Sequence, residues 1–147
     1  MQVNIMKMFD DAIVPTFGSD GAAGADLYAR IDNERHMQAI YPNSTQVIST
    51  GICMEIPESY VGLVFSRSGL ATKQGLSLAN CVGVIDSDYR GEIKIALHNH
   101  SDSIRKVKHG ERVAQIVLVP FLKPTFHEQD SLSDTTRGEG GFGSTGQ

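Results

Sequence analysis

The sequence predicts an all-β chain, an antiparallel sandwich or barrel with one short helix. Three observations point there: the apolar runs are short, β-branched and alternating; turn formers interrupt them at close intervals; only one stretch carries helix punctuation at both ends. In chain order the predicted strands are residues 3–8, 45–49, 52–56, 60–65, 82–85, 93–97 and 113–121. The reversals between them use Pro42-Asn43-Ser44, Pro57-Glu58-Ser59, Asp86-Ser87-Asp88 and His109-Gly110-Glu111, residue types that bond their own backbone or accept left-handed conformations. The helix is expected over 69–74, with Ser68 as its N-cap and Gly75 just past its end. This rhythm leaves no room for the long crossover helices of a parallel sheet.

A length of 147 residues makes one domain. Residues 1–126 are expected to form the β domain and 127–147 an arm, because 127–136 is polar without a period and the last ten residues hold five of the fifteen glycines. Net charge is −4, which opposes binding to a nucleic-acid polymer. The start has no basic-then-apolar leader, and no run approaches the roughly 20 apolar residues of a spanning helix. The expectation is therefore no membrane partner and a cytoplasmic location. Cys53 and Cys81 lack CxxC spacing and sit among apolar residues, so both are expected to be buried free thiols without chemistry.

Four segments are candidates for chemistry. The tail holds Gly138-x-x-x-x-Gly143-Ser144-Thr145, a phosphate-loop spacing with serine in place of lysine and too little chain after it for a helix. Its glycines could still converge backbone N–H groups on phosphate, beside the Arg137 charge. Phe142 has no core to join there and offers a stacking face to a planar ligand, against the plainer reading of a solvated terminus. Residues 83–93 read as two strands of a hairpin whose turn crowds Asp86, Ser87, Asp88 and Tyr89 beside Arg90. That is either a water-activating carboxylate or an acidic turn. Arg67-Ser68-Gly69 is either an anion site or a simple cap. His98 and His100 would share a strand face, but the run HNHSDS reads as a turn without further ligands, which disfavours a metal site. Residues 105–109 read as a solvated basic hairpin.

Taken in order, these segments resemble the five motifs of the trimeric dUTP pyrophosphatase (dUTPase) family. They are Ala23-Gly24-Ala25-Asp26-Leu27; Arg67-Ser68-Gly69-Leu70-Ala71; Asn80 through Gly83-Val84-Ile85-Asp86-Ser87-Asp88-Tyr89-Arg90-Gly91; Arg112-Val113-Ala114-Gln115; and Arg137 through Gly138-Glu139-Gly140-Gly141-Phe142-Gly143-Ser144-Thr145-Gly146. The resemblance implies a jelly-roll-like subunit and a homotrimer with active sites at subunit boundaries. The implied activity is hydrolysis of dUTP to dUMP and pyrophosphate. By position it implies Asp86 as the base for water, Tyr89 under the deoxyribose, and Asn80 with the backbone of Gly83, Val84 and Ile85 against uracil. It implies Arg67, Ser68, Gly69 and Gln115 on the phosphates, and an arm whose Phe142 stacks on uracil while Arg137, Gly143, Ser144 and Thr145 close over the γ-phosphate. Mg2+ would ride on the triphosphate, with Asp26 reaching it only through water. Ser66 stands where the family usually has proline, which predicts a slightly less rigid entry to the second motif. The related dCTP deaminases place a glutamate in the strand after the hairpin, and residues 93–97 hold none. A nucleotide-regulated partner of another protein is the remaining alternative of the same fold.

Overall fold

The alternating run that ends the β domain becomes the longest strand and organises the sheet around it. The computed structural model describes residues 1–141 and 143. Its elements are β1 (Asn4–Lys7), β2 (Thr16–Phe17), β3 (Ala25–Tyr28), β4 (Met37–Ile40), β5 (Thr45–Ile48), β6 (Ile52–Glu55), β7 (Tyr60–Ser66), α1 (Ser68–Gln74), β8 (Leu76–Leu78), β9 (Val82–Ile85), β10 (Ile95–Asn99), β11 (Arg105–Lys108) and β12 (Arg112–Pro120). Four antiparallel sheets form, in the orders β2-β3-β12-β7-β9, β5-β10-β8, β1-β6 and β4-β11. They wrap one core as an open, jelly-roll-like sandwich. Leu27, Ile40, Ile48, Ile52, Leu76, Ile95, Leu97, Val107 and Val113 are almost wholly buried in it. A register shift between Arg112 and Ala114 lets Val113 and Ala114 both turn inward, as a bulge does. No helix among the described residues is long and apolar enough to cross a membrane.

Several elements differ from expectation for identifiable reasons. The strand expected over 93–97 begins at Ile95, because the Ile93 N–H donates to the Ile52 carbonyl at 2.9 Å and its carbonyl accepts the Thr50 hydroxyl at 2.6 Å. Ser68 is the first helical residue, not the cap; Arg67 occupies the N-cap with an extended backbone and makes no side-chain cap bond. Gly75 does end the helix, at φ +66°. Residues 83–93 are not a regular hairpin: β9 is laddered to β7 and β10 to β5 and β8, so the Asp86 turn carries the chain between two sheets. Cys53 is buried, but Cys81 is exposed in a left-handed turn between β8 and β9.

The HNHSDS run also belongs partly to a strand. His98 and Asn99 end β10, and Asn99 is fully buried. Its amide donates to the carbonyls of Ile40 (2.9 Å) and Ser103 (2.8 Å), and its oxygen accepts the Ser101 N–H (3.0 Å) and hydroxyl (2.8 Å). Asn99→Ala would take this donor from the buried Ile40 carbonyl and cut the Ser101–Ser103 turn loose from the end of β10. We expect it to cost about 2–4 kcal/mol, read as a lower denaturation midpoint with an unchanged denaturant slope. After β12 no regular element forms among the described residues, and Leu122, Phe126 and Leu132 are nearly fully exposed.

Candidate active site

Strand pairing builds an anion cradle at one end of the five-stranded sheet. Asp26 on β3 lies opposite Gln115 on β12, which lies opposite Phe65 on β7, so Arg67 just past β7 reaches Asp26 across β12. Arg67 Nε contacts Asp26 Oδ1 at 2.8 Å and Arg112 Nη1 contacts Oδ2 at 3.1 Å. Two guanidinium groups share one buried carboxylate, so the cluster keeps a net positive charge. Most of the N–H donors of Arg67 and Arg112 remain for an oxyanion. Ser68 and Gly69 open α1, where backbone N–H groups have no intrahelical acceptor. Asp26, Arg67, Ser68, Gly69, Arg112 and Gln115 line one cavity of about 220 Å³, and a second of about 530 Å³ shares Arg67, Gly69 and Arg112 and adds Lys73.

Two positions without an assigned role hold this cradle in shape. A Cβ at Gly24 would stand 2.9 Å from Gln115 Oε1, so glycine there makes space for the glutamine amide. That amide donates to the Ser66 carbonyl at 3.3 Å, while the Ser66 hydroxyl accepts the Leu78 N–H at 2.8 Å. Serine at 66 therefore ties the end of β7 to β8 through a bond that proline could not make. Arg112 is the other residue that spacing alone did not single out; its partner Asp26 is far away in sequence.

The second half of the candidate site sits elsewhere. Ile85 pairs with Gly62, which puts Asp86 level with Val61, six positions before Arg67 on the same extended segment. At about 3.3 Å per residue, roughly 20 Å of β7 separates Asp86 from Arg67. Asp86 lines an apolar hollow of about 260 Å³ with Val61, Leu63, Val84 and Phe121. Its carbonyl accepts the Tyr89 N–H at 3.1 Å, closing the turn. Arg90, expected beside the carboxylates, instead donates to the carbonyls of Ser87 (2.6 Å) and Tyr89 (3.2 Å) and faces Glu55 at 3.8 Å. Asn80 is exposed at the far end of β9, and its amide nitrogen would lie 3.6 Å from a Cβ at the buried Gly83. Val84 points outward and Ile85 is half-buried.

On the arm, Arg137 Nε donates to the Gly140 carbonyl at 2.7 Å, and Gly143 has φ +92°. Phe142, Ser144 and Thr145 lie outside the described residues. The two histidines each engage a hydroxyl, His98 Nδ1 with Thr45 at 2.9 Å and His100 Nε2 with Ser77 at 2.7 Å. No group of three or more metal-ligating side chains occurs among the described residues. Asp26, with each oxygen already accepting from a guanidinium, suits an ion that keeps its own water shell.

A family model described as dUTPase matches residues 10–146. The deoxyuridine 5'-triphosphate nucleotidohydrolase of Hydrogenobaculum sp. is 44% identical over 146 residues, 99% of each chain. That of Desulfitobacterium hafniense is 50% identical over 134 residues, covering 90% of this chain and 87% of its own. Among solved structures, a mutant dUTPase of Staphylococcus bacteriophage 80alpha with dUpNHpp has a TM-score of 0.86 at 27% identity, covering 99% of both chains. A mutant dUTPase from phage phi11 of S. aureus, described with a structural Mg(II) ion, has a TM-score of 0.77 at 25% identity over 89% of this chain and 98% of its own. With the match running from the first strands into the glycine-rich tail, the chain belongs to the dUTPase family.

Proposed function

We propose that this protein hydrolyses dUTP to dUMP and pyrophosphate, with Mg2+, at sites assembled between the subunits of a homotrimer. The observation that carries the reading is the separation along β7. A base acting at the α-phosphorus and an arginine holding the adjoining phosphate must lie within a few ångströms of each other, whereas Asp86 and Arg67 of one chain are roughly 20 Å apart. Two chains supply what one cannot. The outer faces of β7, β9 and β12 support this, since Val61, Leu63, Phe65, Val82, Val84, Val117 and Val119 form a partly exposed apolar surface beside Asp86.

In this reading uracil lies against Asn80 and the backbone of Gly83, Val84 and Ile85, in a slot too tight for a 5-methyl group. Tyr89 packs under the deoxyribose and leaves no space for a 2′-hydroxyl. Asp86 takes a proton from water as the water oxygen bonds the α-phosphorus; the bond from that phosphorus to the bridging oxygen breaks and pyrophosphate leaves. Arg67, Ser68, Gly69 and Gln115 of a neighbouring chain hold the phosphates and the charge that develops on the leaving group. Bound Mg2+ supplies further neutralisation of the triphosphate, with Asp26 reaching it through water. Residues 127–147 act as an arm that brings Phe142 onto uracil and Arg137, Gly143, Ser144 and Thr145 onto the γ-phosphate, excluding bulk water.

The test is to incubate the protein with Mg2+ and, separately, dUTP, UTP, dTTP and dCTP, scoring pyrophosphate and ammonia. Pyrophosphate from dUTP alone is expected. Ammonia from dCTP, or tight dUTP binding without turnover, would replace this reading with a deaminase or a nucleotide-regulated binder.

A further inference from the structure

Glu92 lies between the Asp86–Tyr89 turn and the core and has no part in the site described so far. Its side chain is only 10% exposed. Oε1 accepts the Ser49 hydroxyl and, at 2.7 Å, the Gly51 N–H, while Oε2 faces Lys94 Nζ at 3.5 Å. Burial pushes the carboxyl's pKa up, but Ser49, Gly51 and Lys94 outweigh it and hold the group below its ordinary value. The bonds it makes are thus charge-assisted, the stronger kind. Gly51 can present its N–H here only as glycine: φ is +68°, and a Cβ would stand 2.8 Å from that of Ala12. The bonds of Ile93 to Ile52 and Thr50 fasten the next residue to the same β5–β6 turn.

On its other side, the Glu92 carbonyl accepts the Tyr89 phenol at 3.0 Å. The phenol reaches it across Gly91, where a Cβ would stand 2.5 Å from the Tyr89 oxygen. The rest of the ring is open, with Tyr89 45% exposed. Among the described residues this is the hydrogen bond that the phenol makes, so the direction of the ring depends on it and on the close approach to Gly91, and both are as fixed as the peptide that Glu92 holds.

We propose that Glu92 is a positioning residue for sugar selectivity: its largely buried carboxylate fixes the peptide whose carbonyl aims the Tyr89 ring at the sugar. The inference rests on the proposed role of Tyr89 against the deoxyribose and extends it inward. Rejecting a hydroxyl by steric contact needs a wall that does not yield, so slack of a fraction of an ångström at the ring weakens rejection of UTP. The phosphate contacts are untouched by such slack.

Pyrophosphate release from dUTP and UTP would be measured for Tyr89→Ala, Glu92→Ala, Glu92→Gln and Ser49→Ala, with folding and assembly checked by circular dichroism and sedimentation. Tyr89→Ala is expected to lower the dUTP-to-UTP ratio of kcat/KM by about 10²-fold, the scale on which a pocket rejects an added hydroxyl. Glu92→Ala should lower it about tenfold, Ser49→Ala by less, and Glu92→Gln least, because the amide oxygen still accepts from Ser49 and Gly51. Joining Glu92→Ala to Tyr89→Ala should lower it no further than Tyr89→Ala alone. A general loss of stability would depress both substrates and leave the ratio alone. A wild-type ratio in folded Glu92→Ala, while Tyr89→Ala has lost selectivity, overturns the positioning role and spares the sugar reading. A wild-type ratio in Tyr89→Ala overturns both. If Glu92→Ala does not fold, Ser49→Ala decides, and an unchanged ratio there overturns the proposal.

Discussion

Asp86→Asn is expected to bind dUTP with little change and to turn it over about 10²- to 10⁴-fold more slowly, the usual cost of removing a general base. The amide has the carboxylate's shape, so the hollow lined with Val61, Leu63, Val84 and Phe121 keeps its form. What it lacks is basicity: it cannot take the proton as water attacks the α-phosphorus. The turn should survive, since its bonds come from the Asp86 carbonyl and from Arg90 rather than from the Asp86 side chain. Steady-state kinetics with an equilibrium binding measurement separates the two effects, and near wild-type kcat would remove Asp86 from the base role.

Removing residues 137–147 is expected to reduce kcat/KM by about 10²-fold or more while the rest stays folded and assembled, because in the proposed mechanism closure over the phosphates excludes water and completes the set of donors. Among the described residues of this segment no strand or core residue is lost: after β12 the described arm has no regular structure, and the Arg137 side chain bonds its own turn. Sedimentation and thermal unfolding of the truncated protein check the second half of this expectation. An unfolded product would make the tail part of the core, and full activity would make it a bystander.

The β class, most strands and the glycine that ends the helix were legible because they depend on local alternation and turn chemistry. Three kinds of feature were not. One is the strand β3: the resemblance marked Asp26, but Ala25, Asp26 and Leu27 are buried in succession, so the strand that carries it shows no alternation. The Asp26 charge is balanced by Arg67 and Arg112, and such a pairing across the sequence leaves no local mark. The supports at Gly24 and Glu92 are similar: each acts on a residue brought near by sheet pairing, Gln115 for one and Ser49 with Gly51 for the other. Finally, spacing placed all the motif residues in one chain but could not say how far apart the fold holds them. That needed the β7–β9 register, which sets Asp86 and Arg67 at opposite ends of one strand.

That separation calls for a site shared between chains, and a mixture of two subunit variants is the sharpest test of it. Asp86→Asn chains keep an intact cradle, and Arg67→Ala chains keep an intact base. Each variant alone should be nearly inactive. Unfolding and reassembling them together in equal amounts makes roughly three-quarters of the trimers hybrids, each with one wild-type site in three, so activity should return to about a quarter of the wild-type value. Activity in the reassembled mixture no higher than that of the two variants assembled separately would mean that each site draws Asp86 and Arg67 from a single chain, contradicting the account.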